Sequence, residues 1–376
     1  MSDVRDLSTP CAVLDLDVMQ ANIDRVADHA TRLDVHLRPH LKTPKSLPVA
    51  ERLLARQARG ATVSTLLEAE YFADGGVRDL LYANPLVPAK VERFCALNDG
   101  AGEVIGITDS AAAAQALAER AASLGRVLPM LVEIDVDGYR AGVRPGSEEF
   151  EAMVGTLQAS PALELRGIMS YAGVSYHTPP DDRAALAERH RKALVDCASA
   201  LEARGLACPI RSFGSTPAFM RAASMKGITE VRGGIYVFQD LFQAGIEACN
   251  QSDIALTVAT TVIGVQPSHN RVIVDAGGLA LSKDRSTQGH PFDCRFGWVC
   301  DDTGAVLPDV WVEVVHQEMG VITHRLDAPL DFERLKIGTV LRVQPNHADM
   351  TAAAYEGYHL VRGGQVEGFW PRINGW

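Results

Sequence analysis

Four basic or imidazole side chains, Arg38, His40, Lys42 and Lys45, fall within the eight residues Arg38-Pro39-His40-Leu41-Lys42-Thr43-Pro44-Lys45. The stretch joins a short strand pattern at 35–38 to a helix pattern that begins near Ser46. A lysine held just past a strand end, hemmed by prolines and close to other cations, gives up its proton more readily than a free one. Such a lysine suits a nucleophile towards a carbonyl or a Schiff-base anchor for pyridoxal phosphate. The same residues also make a basic surface turn.

Further constellations add to this. Phe213-Gly214-Ser215-Thr216-Pro217 and Arg232-Gly233-Gly234-Ile235-Tyr236 each follow a strand pattern. Small residues let backbone N–H groups approach a phosphate, and hydroxyls add donors at a helix start; either segment also reads as a turn. In 133–143, acidic residues at a strand end precede a glycine turn and Arg140. The guanidinium there can face an anionic ring oxygen or carboxylate, or pair with Asp135 or Asp137 on the surface. Tyr171, Tyr176 and His177 can supply ring packing and a general base. In Pro345-Asn346-His347-Ala348-Asp349, histidine and aspartate two apart share one side of an extended strand, so both reach one ion. Such a pair leaves positions for water and substrate on a catalytic metal, and is otherwise structural.

These side chains must be positioned by regular elements. Eight strand-like runs, at 35–38, 61–64, 79–82, 103–107, 128–134, 163–169, 209–213 and 229–232, alternate with helix patterns, clearest at 110–124 and 181–204. The fold class is α/β, a (β/α)8 barrel, with a doubly wound open sheet as the alternative. A barrel demands a site just after the strand carboxyl ends, where Lys42, Ser64, Asn84, Arg140, Tyr171 and Gly214 fall. An earlier strand at 12–16 leads into a helix, for which Asp17 and Gln20 make a capping box. After about Asn250 the helical period fades and short β runs follow at 254–265, 271–275, 296–300, 310–315, 320–323, 340–344 and 358–361. The expected division is a barrel at 1–250, whose first strand can join the second domain, and a β-rich domain at 251–376.

Composition narrows the partners. With 47% hydrophobic and 22% charged residues the chain can bury a large core, and its net charge of -11 offers no basic field for nucleic acid. No apolar run reaches membrane-spanning length. The charged start lacks an apolar signal core, and the seven cysteines form no Cys-x-x-Cys pair, which together suggest a cytoplasmic location. A small-molecule substrate is expected.

In order and spacing these motifs resemble the fold-type III pyridoxal phosphate enzymes of the D-threonine aldolase and D-serine dehydratase group, relatives of alanine racemase. The likeness runs through Arg38 to Thr43, Thr62 to Thr65 with Glu68 to Glu70, Glu133 to Asp135 with Arg140 to Val143, Gly214 to Pro217, Tyr236 to Asp240, Asp275 to Gly277, and Pro345 to His347 with Asp349. It implies that Lys42 anchors the cofactor, that Arg140 faces its phenolic oxygen, and that Tyr171 packs near its ring. Gly214, Ser215, Thr216, Gly234 and Tyr236 would hold the phosphate. His347 and Asp349 would bind a divalent metal (Mn, Mg or Zn), and His177 stands where the aldolases place a candidate base. The implied substrate is a D-3-hydroxy amino acid and the implied assembly a homodimer.

Within that group, Thr62-Val63-Ser64-Thr65 and Tyr236 to Leu241 look like the dehydratase branch. Asp349, a hard oxygen ligand where dehydratases generally carry cysteine, looks like the aldolases. On the bond-breaking residues the expected reaction is retro-aldol cleavage to glycine and an aldehyde. Dehydration to a 2-oxo acid and ammonia is the alternative, followed by a racemase or a non-catalytic cofactor-binding protein. Pro44, Ala172 and Met319 depart from the pattern, each standing where histidine is frequent.

Overall fold

The structure is a computed structural model that describes residues 2–56, 58–100 and 102–376. Its first strands are β1 (Ser2–Asp3) and β2 (Cys11–Asp15). Eight more follow: β3 (His36–Pro39), β4 (Ala61–Val63), β5 (Asp79–Pro85), β6 (Glu103–Thr108), β7 (Leu128–Ile134), β8 (Leu163–Tyr171), β9 (Ile210–Gly214) and β10 (Glu230–Gly233). The last eight are β11 (Leu256–Gln266), β12 (Arg271–Val274), β13 (Trp298–Cys300), β14 (Val306–Val315), β15 (Gly320–His324), β16 (Val340–Gln344), β17 (Gly357–Arg362) and β18 (Gln365–Pro371). The chain separates into two compact units, one built from Asp24–Lys42, Ala50–Gly234 and Gly375–Trp376, the other from the N-terminal stretch up to Ile23, Thr43–Val49 and Ile235–Asn374.

The first unit is the (β/α)8 barrel. Its parallel strands run in the order β3-β10-β9-β8-β7-β6-β5-β4, and single bridges from Leu37 to Ala58 and from His40 to Thr62 close the ring. Helices cover the outside, so strands are buried on both faces and read as mainly apolar runs; β7 is buried at every position and carries one charged residue, Glu133. Ser110 and Ser147 cap the helices Ala111–Ser123 and Glu148–Ala159 by accepting backbone N–H groups three residues on. Leu81, Ile105, Ile107, Leu131, Met169 and Ile210 form one apolar cluster. A polar layer lies along β3, β9 and β10: Arg38 Nε donates to Glu230 at 2.8 Å, the same carboxylate accepts from Ser212 Oγ at 2.5 Å, and Arg38 Nη1 donates to Asp79 at 2.6 Å.

In the second unit, β11 pairs with β12 and also with β16, so the order β11-β12-β15-β14-β13-β16 returns on itself as a closed antiparallel sheet. Val258, Val274, Val299, Val312, Ile322 and Val343 are among the residues of its core. The early strand β2 belongs here, antiparallel to β11 and parallel to β17. Two local expectations change. The helix after β2 spans Leu16–Arg32, and Asp15, not Asp17, receives its first N–H groups, from Asp17 at 3.1 Å and Val18 at 3.0 Å. The strand β18 has no counterpart among the expected runs, because its residues are largely exposed and carry no apolar alternation.

Candidate active site

Lys42 sits in the turn after β3 with its side chain exposed. Its backbone N–H donates to His40 Nδ1 at 3.3 Å, while His40 Nε2 lies 3.4 Å from Ser64 Oγ. Because Nδ1 accepts, the ring proton is assigned to Nε2 and points to Ser64. Burial, then the charges of Lys42, Arg232 and Arg140, hold His40 well below the usual imidazole range, so the ring is neutral.

Arg140 follows β7. Its guanidinium lies 4.3 Å from the centre of the Tyr171 ring and 3.7 Å from Glu133 Oε1. Burial raises the pKa of Glu133 against the opposing pull of Arg140 and Arg232. Tyr139 packs beside both Tyr171 and His177, and its hydroxyl is 3.3 Å from His177 Nε2. Gly173 is required here: a Cβ would meet the Tyr139 ring at 2.3 Å and the Tyr171 ring at 2.6 Å. The 133–143 segment is itself tied down, since Asp135 accepts from Gly138 N–H at 2.6 Å and Asp137 pairs with the fully buried His190.

At the end of β9, Ser215 is the N-cap of the short helix Thr216–Met220. Its hydroxyl is turned to the protein, 2.7 Å from Ser175 Oγ and 3.2 Å from the Ala172 carbonyl, so what Ser215 can offer a phosphate is its backbone N–H. Beside Gly214, the buried Arg232 donates to Ser212 Oγ at 2.6 Å and to the Ser170 carbonyl at 2.7 Å. Burial lowers its pKa to about 10. At neighbouring strand ends the buried hydroxyls of Thr62 and Ser170 have no hydrogen-bond partner. Cations around a neutral imidazole, an aromatic wall and unsatisfied hydroxyls together fit an anionic, planar, phosphate-bearing cofactor. Gly234 and Tyr236 are both buried, Gly234 in the barrel unit and Tyr236 in the 3₁₀ turn Ile235–Val237 of the second unit.

His347 and Asp349 belong to the second unit. The extended-strand argument for them does not hold: β16 ends at Gln344, and His347 is the N-cap of the helix Ala348–Ala352, with Asp349 in its first turn. His347 makes no capping bond, and its Nδ1 is buried without a hydrogen-bond partner. Such an imidazole beside a carboxylate fits a divalent cation. Among the described residues no group of three or more histidine, cysteine or acidic side chains has that disposition, so a cation on this pair would need water or substrate oxygens to complete its shell. Beneath the pair, Asp240 is fully buried, and burial raises its pKa to about 6.

Sequence reasoning left His40, Arg232, Tyr139, Asp240 and the Asp137–His190 pair without a role. His40 had a signal in its spacing from Lys42, as did Arg232 in its adjacency to two glycines. The other contacts join distant parts of the chain.

Comparison with known proteins agrees with this geometry. Residues 14–241 match the alanine racemase N-terminal domain family, and residues 255–361 a serine dehydratase domain family. The chain is 41% identical to D-threo-3-hydroxyaspartate dehydratase of Delftia sp. (strain HT23), over 98% of each. It is 30% identical to the D-threonine aldolase of an Arthrobacter species, over 97% of this chain and 92% of the relative. The solved structure of the Delftia dehydratase superposes with a TM-score of 0.95 at 41% identity, covering 100% of both chains. An alanine racemase-like barrel with a β-rich second part and a lysine at the first strand end defines the fold-type III pyridoxal phosphate enzymes. This chain belongs to that family, in its group of D-3-hydroxy amino acid dehydratases and aldolases, and is a pyridoxal phosphate-dependent lyase.

Proposed function

We propose that this lyase dehydrates a D-3-hydroxy amino acid with a short side chain to a 2-oxo acid and ammonia, with a divalent metal held by His347 and Asp349. The observation that carries the reading is the likeness to D-threo-3-hydroxyaspartate dehydratase along 98% of both chains. A cysteine-to-alanine variant of that relative is described in a metal-free form, which supports a metal here as well. Retro-aldol cleavage, favoured by the bond-breaking residues in sequence, is the second reading. Asp349 and the His177–Tyr139 contact favour it, and the family contains both reactions.

When bound, pyridoxal phosphate supplies a sink for the electron pair released at Cα, and a divalent metal supplies a Lewis acid for the β-oxygen. Lys42 would hold the cofactor, and its Nζ would take the α-proton of the substrate. Arg140, stacked on Tyr171, would hold a positive charge against the cofactor's phenolic oxygen, and Tyr171 would restrict the ring. The backbone N–H groups from Gly214 to Thr216, with Gly234 and Tyr236, would receive the phosphate. His177 Nε2, tied to Tyr139, would give a proton to the departing hydroxyl in dehydration, or take the β-hydroxyl proton in aldol cleavage. One residue thus serves either reaction in opposite directions. A homodimer and a cytoplasmic location complete the proposal; light scattering checks the first and cell fractionation the second.

The deciding experiment incubates the enzyme with D-threo-3-hydroxyaspartate, D-serine and D-threonine, with added Mn²⁺, Mg²⁺ or Zn²⁺ or with EDTA. Oxo acid and ammonia in equal amounts are expected. Glycine and an aldehyde as the main products would overturn dehydration in favour of aldol cleavage.

A further inference from the structure

The second unit contains a clasp around His347. Asp240 caps the short helix Leu241–Gly245, its Oδ1 accepting the Gln243 N–H at 2.8 Å. Its other oxygen, Oδ2, leaves the helix and accepts the Ala348 N–H at 2.9 Å. The same helix start returns two bonds: Leu241 N–H donates to the Pro345 carbonyl at 3.0 Å and Phe242 N–H to the Asn346 carbonyl at 3.1 Å. The backbone is therefore hydrogen-bonded at residues 345, 346 and 348, on both sides of His347. Asn346 adds a side-chain anchor, donating to the carbonyls of Asp284 at 3.0 Å and Arg295 at 2.5 Å.

The geometry points to Asp240 as the positioning residue of the metal pair: one carboxylate, buried at 0% exposure, caps one helix and pins the peptide between His347 and Asp349. A two-residue donor set depends heavily on such support. With no third histidine, cysteine or acidic side chain grouped with the pair among the described residues, the distance between the imidazole and the carboxylate would be set by the backbone that carries them. Partners of this kind are typically worth about 10–100-fold in metal affinity. The inference rests on the proposal that His347 and Asp349 hold a metal. Asp240 touches no metal itself and acts through the Ala348 peptide.

The test separates capping from positioning. Asp240→Ser keeps an oxygen that can cap Gln243 but is too short to reach Ala348 as well. Asp240→Asn keeps the size of the side chain and turns either its oxygen or its NH₂ group towards one of the two N–H donors, so one bond is lost. Mn²⁺ and Zn²⁺ dissociation constants are measured by chelator competition on the full-length holoenzyme, alongside thermal melting and the visible absorbance of the cofactor. Both variants are expected to bind metal at least tenfold more weakly than the parent while melting cooperatively and retaining the cofactor band. Parent-like metal affinity in either folded variant overturns the positioning role. A parent enzyme that binds no divalent metal, and is unchanged by His347→Ala, overturns the metal reading itself, an outcome distinct from the first. If Asp240→Ser fails to fold, the Asp240→Asn measurement decides alone.

Discussion

Lys42 and His40 share a short turn in which the histidine ring accepts the lysine's own backbone N–H, so an uncharged imidazole orders the peptide that carries the amine. Replacing Lys42 with alanine is expected to abolish the cofactor's visible absorbance and leave the circular dichroism of the fold unchanged; a parent-like spectrum would remove Lys42 from the anchor position. In its proposed role His177 would act through proton transfer, for which a loss of about 10²–10⁴-fold is typical. His177→Ala should therefore lower kcat by at least about a hundredfold with little change in cofactor content, and turnover at the parent rate would end that assignment.

Among the elements, the 133–143 segment is tied to His190 through Asp137, and that tie can be tested by pH. His190 is fully buried, its Nε2 paired with Asp137 and its Nδ1 buried without a partner, so protonation would leave a second N–H with no acceptor. Burial lowers its pKa below the ordinary 6.5 despite the pull of Asp137. The sign follows: folding favours the neutral ring, so this contribution is complete above pH 6.5 and is lost as the pH falls through the unfolded value towards the lower folded one. Thermal melts from pH 7.5 to 5 should show an acid-side loss that shrinks in His190→Gln; an unchanged acid limb would remove His190 as its source. In the barrel wall, Glu230 is fully buried and receives Arg38 and Ser212. Glu230→Gln leaves the Arg38 charge with Asp79 as its remaining acidic partner, so the expected cost lies below the about 3–5 kcal/mol of a buried charge left unpaired. Urea unfolding measures it.

At the scale of the whole molecule, Lys42, Arg140, Tyr171 and Gly214 to Thr216 lie in one compact unit and His347 and Asp349 in the other. Dialysis against EDTA is expected to abolish turnover while the cofactor band persists, and added Mn²⁺ should restore it. Full activity after complete metal removal would exclude a catalytic metal. The barrel strands were legible in sequence because parallel strands covered on both faces are mainly apolar, as β7 is, whereas the exposed β18 left no such trace.

The sequence by itself determined the kinds of chemistry present: a held lysine, glycine-rich strand ends, an arginine after an acidic strand end, and a histidine two residues before an aspartate. Residue type and local order are enough for that, because they follow from composition and short-range periodicity. Tertiary structure decided the rest. It turned the Ser215 hydroxyl inward, placed His347 at a helix start where strand periodicity had no force, and supplied the supports from residues 53 and 108 positions away, Asp137 for His190 and Asp240 for Ala348. Those contacts depend on chain closure around a common core, and no local pattern encodes which distant carboxylate will arrive there.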